Sequence, residues 1–306
     1  MEFVHKPVLL NETVKALNIN PCGVYIDGTA GGAGHSSEIA KRLSDGLLLA
    51  LDRDPDAVKV ASERLKGYPA TVVNSRFSKM DAVLHDKGYS GADGILLDLG
   101  VSSYQLDNAE RGFSYHKDAP LDMRMSKDGI TAADIVNTYD TGNLCRIFRD
   151  YGEEKFAYKI ALKIVSERNK QSIRTTVQLA ELIASAVPAS ARREGHPARR
   201  CFQALRIAVN GEFEELETAL DKAFELLNSN GVLAVITFHS LEDRIVKRCF
   251  KEYCTGCICP PDIPVCVCGR KPRGYLYSKK PIKPSADEIA ENPRSRSAKL
   301  RAIIKY

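Results

Sequence analysis

Val24-Tyr25-Ile26-Asp27-Gly28-Thr29-Ala30-Gly31-Gly32-Ala33-Gly34-His35 decides the fold class of this chain. The first four residues read as a strand ending on an acid. The glycines after it make a turn whose backbone can approach a ligand closely. A helical stretch follows from Ser36, and Leu47-Leu48-Leu49-Ala50-Leu51 reads as a second strand that ends on Asp52. A glycine turn after one strand and an acid closing the next are the parts of a ribonucleoside site, in their working order, with the acid placed to bind both ribose hydroxyls. A tight turn alone would account for the glycines but not for Asp52.

Spacing narrows the ligand. Dinucleotide sites carry Gly-x-Gly-x-x-Gly and set a pyrophosphate on a helix N-terminus. Here Asp27 closes the first strand, where it repels a pyrophosphate and suits a cation such as the amino group of S-adenosylmethionine. No Gly-x-x-x-x-Gly-Lys-Ser/Thr phosphate loop is present. The residues favour S-adenosylmethionine as cofactor. A nicotinamide dehydrogenase is the competing enzyme class. The non-catalytic alternative is an RNA-binding assembly factor with a decayed cofactor site, against which the intact Asp27, Asp52 and Asp98 argue.

Outward from this core, Asp54-Pro55 is a helix cap followed by a first-turn proline, and Gly67 ends that helix. Ala70–Val73 and Gly94–Asp98 read as third and fourth strands, so the fold class is α/β, a doubly wound, Rossmann-like parallel sheet. The alternation then stops. Ala132–Val136, Asn143–Arg149, Glu153–Glu167 and Thr176–Ala186 have helical patterns, and apolar residues from Phe202 to Leu227 recur every three or four positions as one long helix. Gly231–Phe238 returns to a buried strand, and Lys299–Ile304 alternates as a closing edge strand. The pattern assigns residues 1–104 and 201–306 to the cofactor-binding domain. Residues 105–200 form an inserted helical domain for substrate recognition, expected to roof the cofactor.

The chain has 306 residues, 44% of them hydrophobic and 27% charged, as in soluble globular proteins. No segment approaches the ~20 apolar residues of a membrane span, and Met1–Lys6 lacks the apolar stretch of a signal peptide. Nine cysteines, an odd number, point to a reducing cytoplasm. The net charge of +5 is too small to imply nucleic acid, but its distribution is uneven. Arg270, Lys271, Arg273, Lys279, Lys280, Lys283, Arg294, Arg296, Lys299 and Arg301 crowd the C-terminal segment with Tyr275 and Tyr277. Arg192, Arg193, Arg199 and Arg200 form a second run. Cations beside aromatic faces are the elements of an RNA surface.

Reacting groups should gather at the carboxyl ends of the strands. Asp98, ending strand four, can accept hydrogen bonds from a target amine. Amino-group methyltransferases carry an Asp/Asn/Ser-Pro-Pro-aromatic tetrapeptide at this place. Here Leu99-Gly100-Val101 replaces the prolines and the aromatic, leaving Tyr104, Phe113 or Tyr115 to stack the base. Methylation of a pyrimidine carbon would need a cysteine nucleophile, and no strand end carries one. Strand five ends on Phe238-His239-Ser240, making His239 a second catalytic candidate, with Ser240 the helix cap in the alternative reading. Cys254, Cys257, Cys259, Cys266 and Cys268 resemble a zinc or iron–sulfur framework. Structural metal and free or redox-sensitive thiols both stay open, and no metal ligand is assigned.

Several long stretches resemble one family, the small-subunit (16S) ribosomal RNA cytosine-N4 methyltransferase H family, also called MraW. They are His5–Leu10, Asp27-Gly28-Thr29, Gly34-His35-Ser36, Leu51–Pro55, Asp98–Ser103, Gln105-Leu106-Asp107, Arg111–Ser114, Pro120–Arg124, Phe238–Arg244 and Asn292–Ser297. The resemblance implies S-adenosylmethionine-dependent methylation of the exocyclic N4 of a decoding-region cytosine within the small ribosomal subunit, with no membrane partner, and it leaves a homodimer open. Carried over by position, Ala33, Gly34, His35, Asp52, Phe77, Asp98 and Gln105 would contact the cofactor. Two positions depart from the family pattern: Ala33 stands where Gly is usual, and Tyr104 stands where Pro precedes the Gln.

Overall fold

The computed structural model describes residues 7–189, 196–260 and 265–306. His5 and Lys6, together with Arg192 and Arg193 of the mid-chain basic run, lie outside the described residues. The strands are β1 (Val24–Asp27), β2 (Leu47–Asp52), β3 (Ala70–Asn74), β4 (Ala92–Asp98), β5 (Leu227–Thr237), β6 (Gly274–Leu276) and β7 (Lys299–Lys305). They form one mixed sheet in the order β3-β2-β1-β4-β5-β7-β6. The first five are parallel, and β7 runs antiparallel to both of its neighbours. Lys299–Ile304 is therefore an interior strand and not the edge. The edge is β6, whose three residues are too few to show an alternation in sequence.

The helices, in chain order, are α1 (Leu10–Leu17), α2 (Gly34–Ala40), α3 (Pro55–Arg64), α4 (Met80–Asp86), α5 (Ser103–Asp107), α6 (Ala132–Thr138), α7 (Thr141–Asp150), α8 (Ala157–Arg168), α9 (Thr176–Ala186), α10 (Ala198–Asn210), α11 (Glu212–Leu226), α12 (Ser240–Cys254) and α13 (Ala286–Glu291). Asp54 caps α3 by accepting from the Asp56 N–H at 3.0 Å, with Pro55 in the first turn. The continuous helix expected from Phe202 to Leu227 is instead two. Gly211 takes the left-handed conformation (φ 59°) and ends α10 before α11 begins, and Leu227 opens β5. The apolar period survives the break, which is why it is invisible in the spacing.

The chain divides into two compact units, one of residues 1–100 and 214–306, the other of residues 101–213. The second extends beyond 105–200 because α10 buries Ala198, Cys201, Phe202, Ala204 and Leu205 in that unit's own core, with Phe148, Ile160 and Ile183. Two turns of the motif stretches are structural here. The buried Arg111 donates to the carbonyls of Arg124 and Met125 at 3.0 Å each, and the Asn210 amide brackets Met123 and Met125. No helix among the described residues is long and apolar enough to cross a membrane.

In the first unit, residues of β1, β2, β4 and β5 are buried on both faces. Ile26, Leu49, Leu51, Ile95 and Leu97 pack on one side, and Tyr25, Leu48, Ala50 and Leu96 on the other. Such continuous burial is what their apolar runs require of parallel strands. Gly28, directly after β1, sits where a Cβ would lie 2.6 Å from Leu97 Cδ2 and 2.9 Å from Phe77 Cβ. Gly28→Ala should destabilise the protein by roughly 1–3 kcal/mol through overpacking, measured as a lower urea midpoint with an unchanged slope.

Candidate active site

β1 is the point where the winding of the sheet reverses, with β2 on one side and β4 on the other. The connections leaving β1 and β4 therefore part and open a crevice at their carboxyl ends. The turn that lines it is held by Asp27, which is only 1% exposed. One carboxylate oxygen accepts from the Thr29 N–H at 3.1 Å and the other from Ser36 Oγ at 2.6 Å. Thr29 Oγ1 also accepts the Asp98 N–H at 2.6 Å, so the end of β4 is tied to the end of β1 through one hydroxyl. Burial pushes the Asp27 carboxyl up, against the Ser36 and Thr29 donors that pull it down. An acid enclosed in this way organises the turn.

Within that turn Ala33 is fully buried and left-handed (φ 60°, ψ 29°), directly before α2. This explains why glycine suits the position. An alanine there costs roughly 1–2 kcal/mol, but its methyl packs in the core with Val8 and Leu9, returning roughly 0.8 kcal/mol. The remainder, roughly 0.2–1.2 kcal/mol, is small enough for the residue to be tolerated. His35 is turned inward. Its Nε2–H donates to the Val8 carbonyl at 3.0 Å, and Nδ1 faces Asp98 Oδ2 at 3.5 Å. The side chain supports Asp98, and a ligand at this turn would meet the backbone of Ala33-Gly34-His35.

Asp98 ends β4 with its side chain 24% exposed. Its Oδ1 is a buried acceptor with no hydrogen-bond partner among the described residues. Burial, then the charges of Asp27 and Glu242, push its carboxyl well above the usual carboxylate range. A buried, partnerless carboxylate oxygen costs on the order of 1–3 kcal/mol or more, and a donor brought by a ligand removes that cost. At the end of β2, Asp52 accepts from the Gly31 N–H and the Asp54 N–H at 2.8 Å each. Burial nevertheless raises its carboxyl to about 6. The geometry suits a ligand with vicinal hydroxyls at Asp52 and an amino group at Asp98.

Comparison with known proteins gives the family. The profile of the MraW methylase family matches residues 2–306. The chain belongs to that family. It is 55% identical over 311 residues to ribosomal RNA small subunit methyltransferase H 2 of Agathobacter rectalis, covering 100% of this chain and 99% of that one. It is 53% identical over 308 residues to ribosomal RNA small subunit methyltransferase H of Clostridium botulinum, covering all of both. A crystal structure of an rRNA methylase from Streptococcus thermophilus aligns over 99% of each chain at TM-score 0.44 and 10% identity.

The remaining candidates of this methylase fall in different places. Phe77 lies beside Gly28 in a short turn before α4. Gln105 belongs to the second unit, where its Oε1 accepts from the Ser102 N–H at 3.0 Å and its own N–H donates to Ser102 Oγ, a reciprocal cap of α5. His239, not Ser240, caps α12. Its Nδ1 accepts from the Glu242 N–H, and Nε2 lies 2.9 Å from Glu242 Oε1. A histidine carries no ordinary capping signal, so spacing pointed to the serine. Of the three stacking candidates, Phe113 is buried and Tyr115 already stacks on His196 at 4.6 Å.

The basic C-terminal segment is likewise divided. Arg301 and Lys299 bind Asp243 at 2.6 and 2.9 Å. Burial pushes the Asp243 carboxyl up, but these two cations outweigh it and hold it below the usual range. Arg273 lies over the rings of Phe224 and Tyr253 and pairs with Glu225. These three serve the fold, while Lys271, Lys279, Lys280, Lys283 and Arg296 are exposed, as are Tyr275 and Tyr277. Sequence reading passed over Thr29 and Glu242, and their only signal was membership in a motif stretch.

Replacing Thr29 by valine should strand the Asp98 N–H and cost roughly 1–3 kcal/mol, whereas Thr29→Ser should stay close to wild type. Equal melting temperatures for the two variants would show that the hydroxyl bridge contributes nothing.

Proposed function

We propose that this methylase uses S-adenosylmethionine to methylate the exocyclic N4 amine of a cytosine in the decoding region of 16S ribosomal RNA. The observation that carries this reading is the buried, partnerless Oδ1 of Asp98 at the end of β4. It is an acceptor held ready for an N–H donor. The names of the relatives supply the RNA. Asp52 would hold the ribose, the backbone of Ala33-Gly34-His35 the amino-acid end of the cofactor, and Phe77 and Asp98 the rest.

When bound, S-adenosylmethionine supplies an electrophilic methyl group on a sulfonium. A cytosine amine is a poor nucleophile because its lone pair is delocalised into the ring. Asp98 accepts a hydrogen bond from that amine and turns the lone pair outward, and the enzyme's advantage is largely one of positioning. The high proton affinity of Asp98 suits it to take the proton that the nitrogen sheds. His35 holds the carboxylate from one side, and His239 with Glu242 sets the charge on the other. The target base must leave its stack to reach the strand ends. Arg199, Arg200, Lys279, Lys280 and Lys283 are exposed and would neutralise RNA phosphates. Carbon methylation has no support, since burial pushes the Cys201 thiol well above its ordinary value and Cys22 precedes β1.

Asp52→Ala should weaken cofactor binding by the ~1.5–3 kcal/mol of a charge-assisted hydrogen bond, or roughly 10- to 150-fold. Calorimetry with S-adenosylhomocysteine that finds equal affinity would overturn the ribose assignment. The same carboxyl sets a pH dependence. Ribose hydroxyls bind the ionised form, so affinity should fall about tenfold per pH unit below about 6. It should be flat in Asp52→Asn. The sign is opposite for the stability of the ligand-free fold. A raised pKa stabilises below ~4, and that contribution is lost as pH rises through about 6.

Asp98→Ala should lower turnover on small ribosomal subunits from a deletion strain by ~10²–10⁴-fold and leave RNA affinity near wild type. Charge removal at Arg199 and Arg200 should do the reverse, reducing the slope of log affinity against log salt by about 0.7–0.9 per lost contact. Nucleoside analysis should find N4-methylcytosine; 5-methylcytosine, or label in protein, would refute the reading.

A further inference from the structure

Between the end of α12 and the start of β6 the chain makes an excursion, residues 255–273, whose described part has no helix or strand and no buried residue. Its apolar side chains point out: Ile258 is 59% exposed, Val265 71% and Val267 77%. Its base is fastened by the Arg273 N–H on the Tyr253 carbonyl at 2.8 Å and Arg270 on the Glu252 carbonyl at 3.0 Å. A loop without a core has no hydrophobic reason to hold one shape. Yet four thiols converge in it. The sulfurs of Cys257, Cys259, Cys266 and Cys268 all lie within 4.8 Å of one another. Cys266 and Cys268 are 3.6 Å apart, and Cys268 and Cys257 3.8 Å.

Those separations identify what would fill the centre. A disulfide needs sulfurs at ~2.05 Å, and all four cysteines are free. Tetrahedral zinc at Zn–S ~2.3 Å places its four sulfurs ~3.8 Å apart. Iron–sulfur clusters put bridging sulfides between their cysteines and hold them farther apart. Cys254, the member of the only Cys-x2-Cys pair, is not in the group, since it packs at the end of α12 against the sheet core. We propose that Cys257, Cys259, Cys266 and Cys268 bind one zinc ion in a closed tetrahedral site that folds this excursion.

Each cysteine gives up its thiol proton on binding, and the resulting −2 centre is followed at once by Arg270 and Lys271. The metal takes the place of a core: it crosslinks the two Cys-x-Cys arms while the residues between the cysteines stay exposed. Its chemistry is structural, because four protein ligands leave no open position. The site stands independently of the methyl-transfer reading, since none of its ligands belongs to the crevice at the strand ends.

Full-length protein purified without chelator should contain about one zinc per chain by elemental analysis. Cobalt in its place should give the visible bands of tetrahedral thiolate ligation. Cys257→Ser and Cys268→Ser should drop the metal to near zero, while Cys254→Ser and Cys22→Ser keep it. Because a ligand variant could fail to fold, the wild-type protein is also tested. Stripping zinc with a thiol reagent should speed hydrogen exchange in residues 255–260 and 265–273 and leave β1 to β5 unchanged. Metal-free protein with four titratable thiols, paired disulfides, or iron with labile sulfide would each overturn the proposal.

Discussion

The enclosed carboxylate of Asp27 is the constraint on which the rest of the site depends. It holds the turn through Thr29 and Ser36, and Thr29 in turn holds the main chain of Asp98. Removing water from this carboxylate strengthens each of its bonds and makes any missing one costly. The ends of β1 and β4 therefore cannot drift apart without exposing buried polar groups. That stiffness presents Asp98 in one orientation.

Negative charge is concentrated at these strand ends. Asp27 and Glu242 raise the proton affinity of Asp98, whereas Asp243, next to Glu242, is neutralised by Lys299 and Arg301. Neighbouring acids thus serve opposite ends. The pair at β7 is satisfied within the protein and fastens α12 to the sheet. At the end of β4, by contrast, Asp98 Oδ1 has no donor among the described residues. A site built this way is least stable when empty, the usual relation between function and stability at an active site.

The division of the basic residues follows the same logic. Arg273, Lys299 and Arg301 look in the sequence like members of one cationic run, but each has an acid or an aromatic face waiting in the fold. The lysines between them have no such partner among the described residues and are exposed, as are Tyr275 and Tyr277. Charge along the chain is a poor guide to charge on a surface, because pairing is decided by segments far apart in sequence.

Six of the seven strands, the position of the glycine turn, the acids closing β1, β2 and β4, and the helical character of the middle of the chain were legible in the sequence. Each rests on local physics: an apolar run for a strand buried on both faces, glycine for close approach, and a period near 3.6 for a helix face. Tertiary structure alone decided the rest. It set β6 at the edge and β7 inside, since strand order depends on distant pairing. It divided the long helix at Gly211 without disturbing its apolar period. It turned Asp27 inward and gave the cap of α12 to His239. It also gathered four of the five clustered cysteines and left Cys254 out. In each case the deciding interaction joins residues whose separation in the chain says nothing of their separation in space.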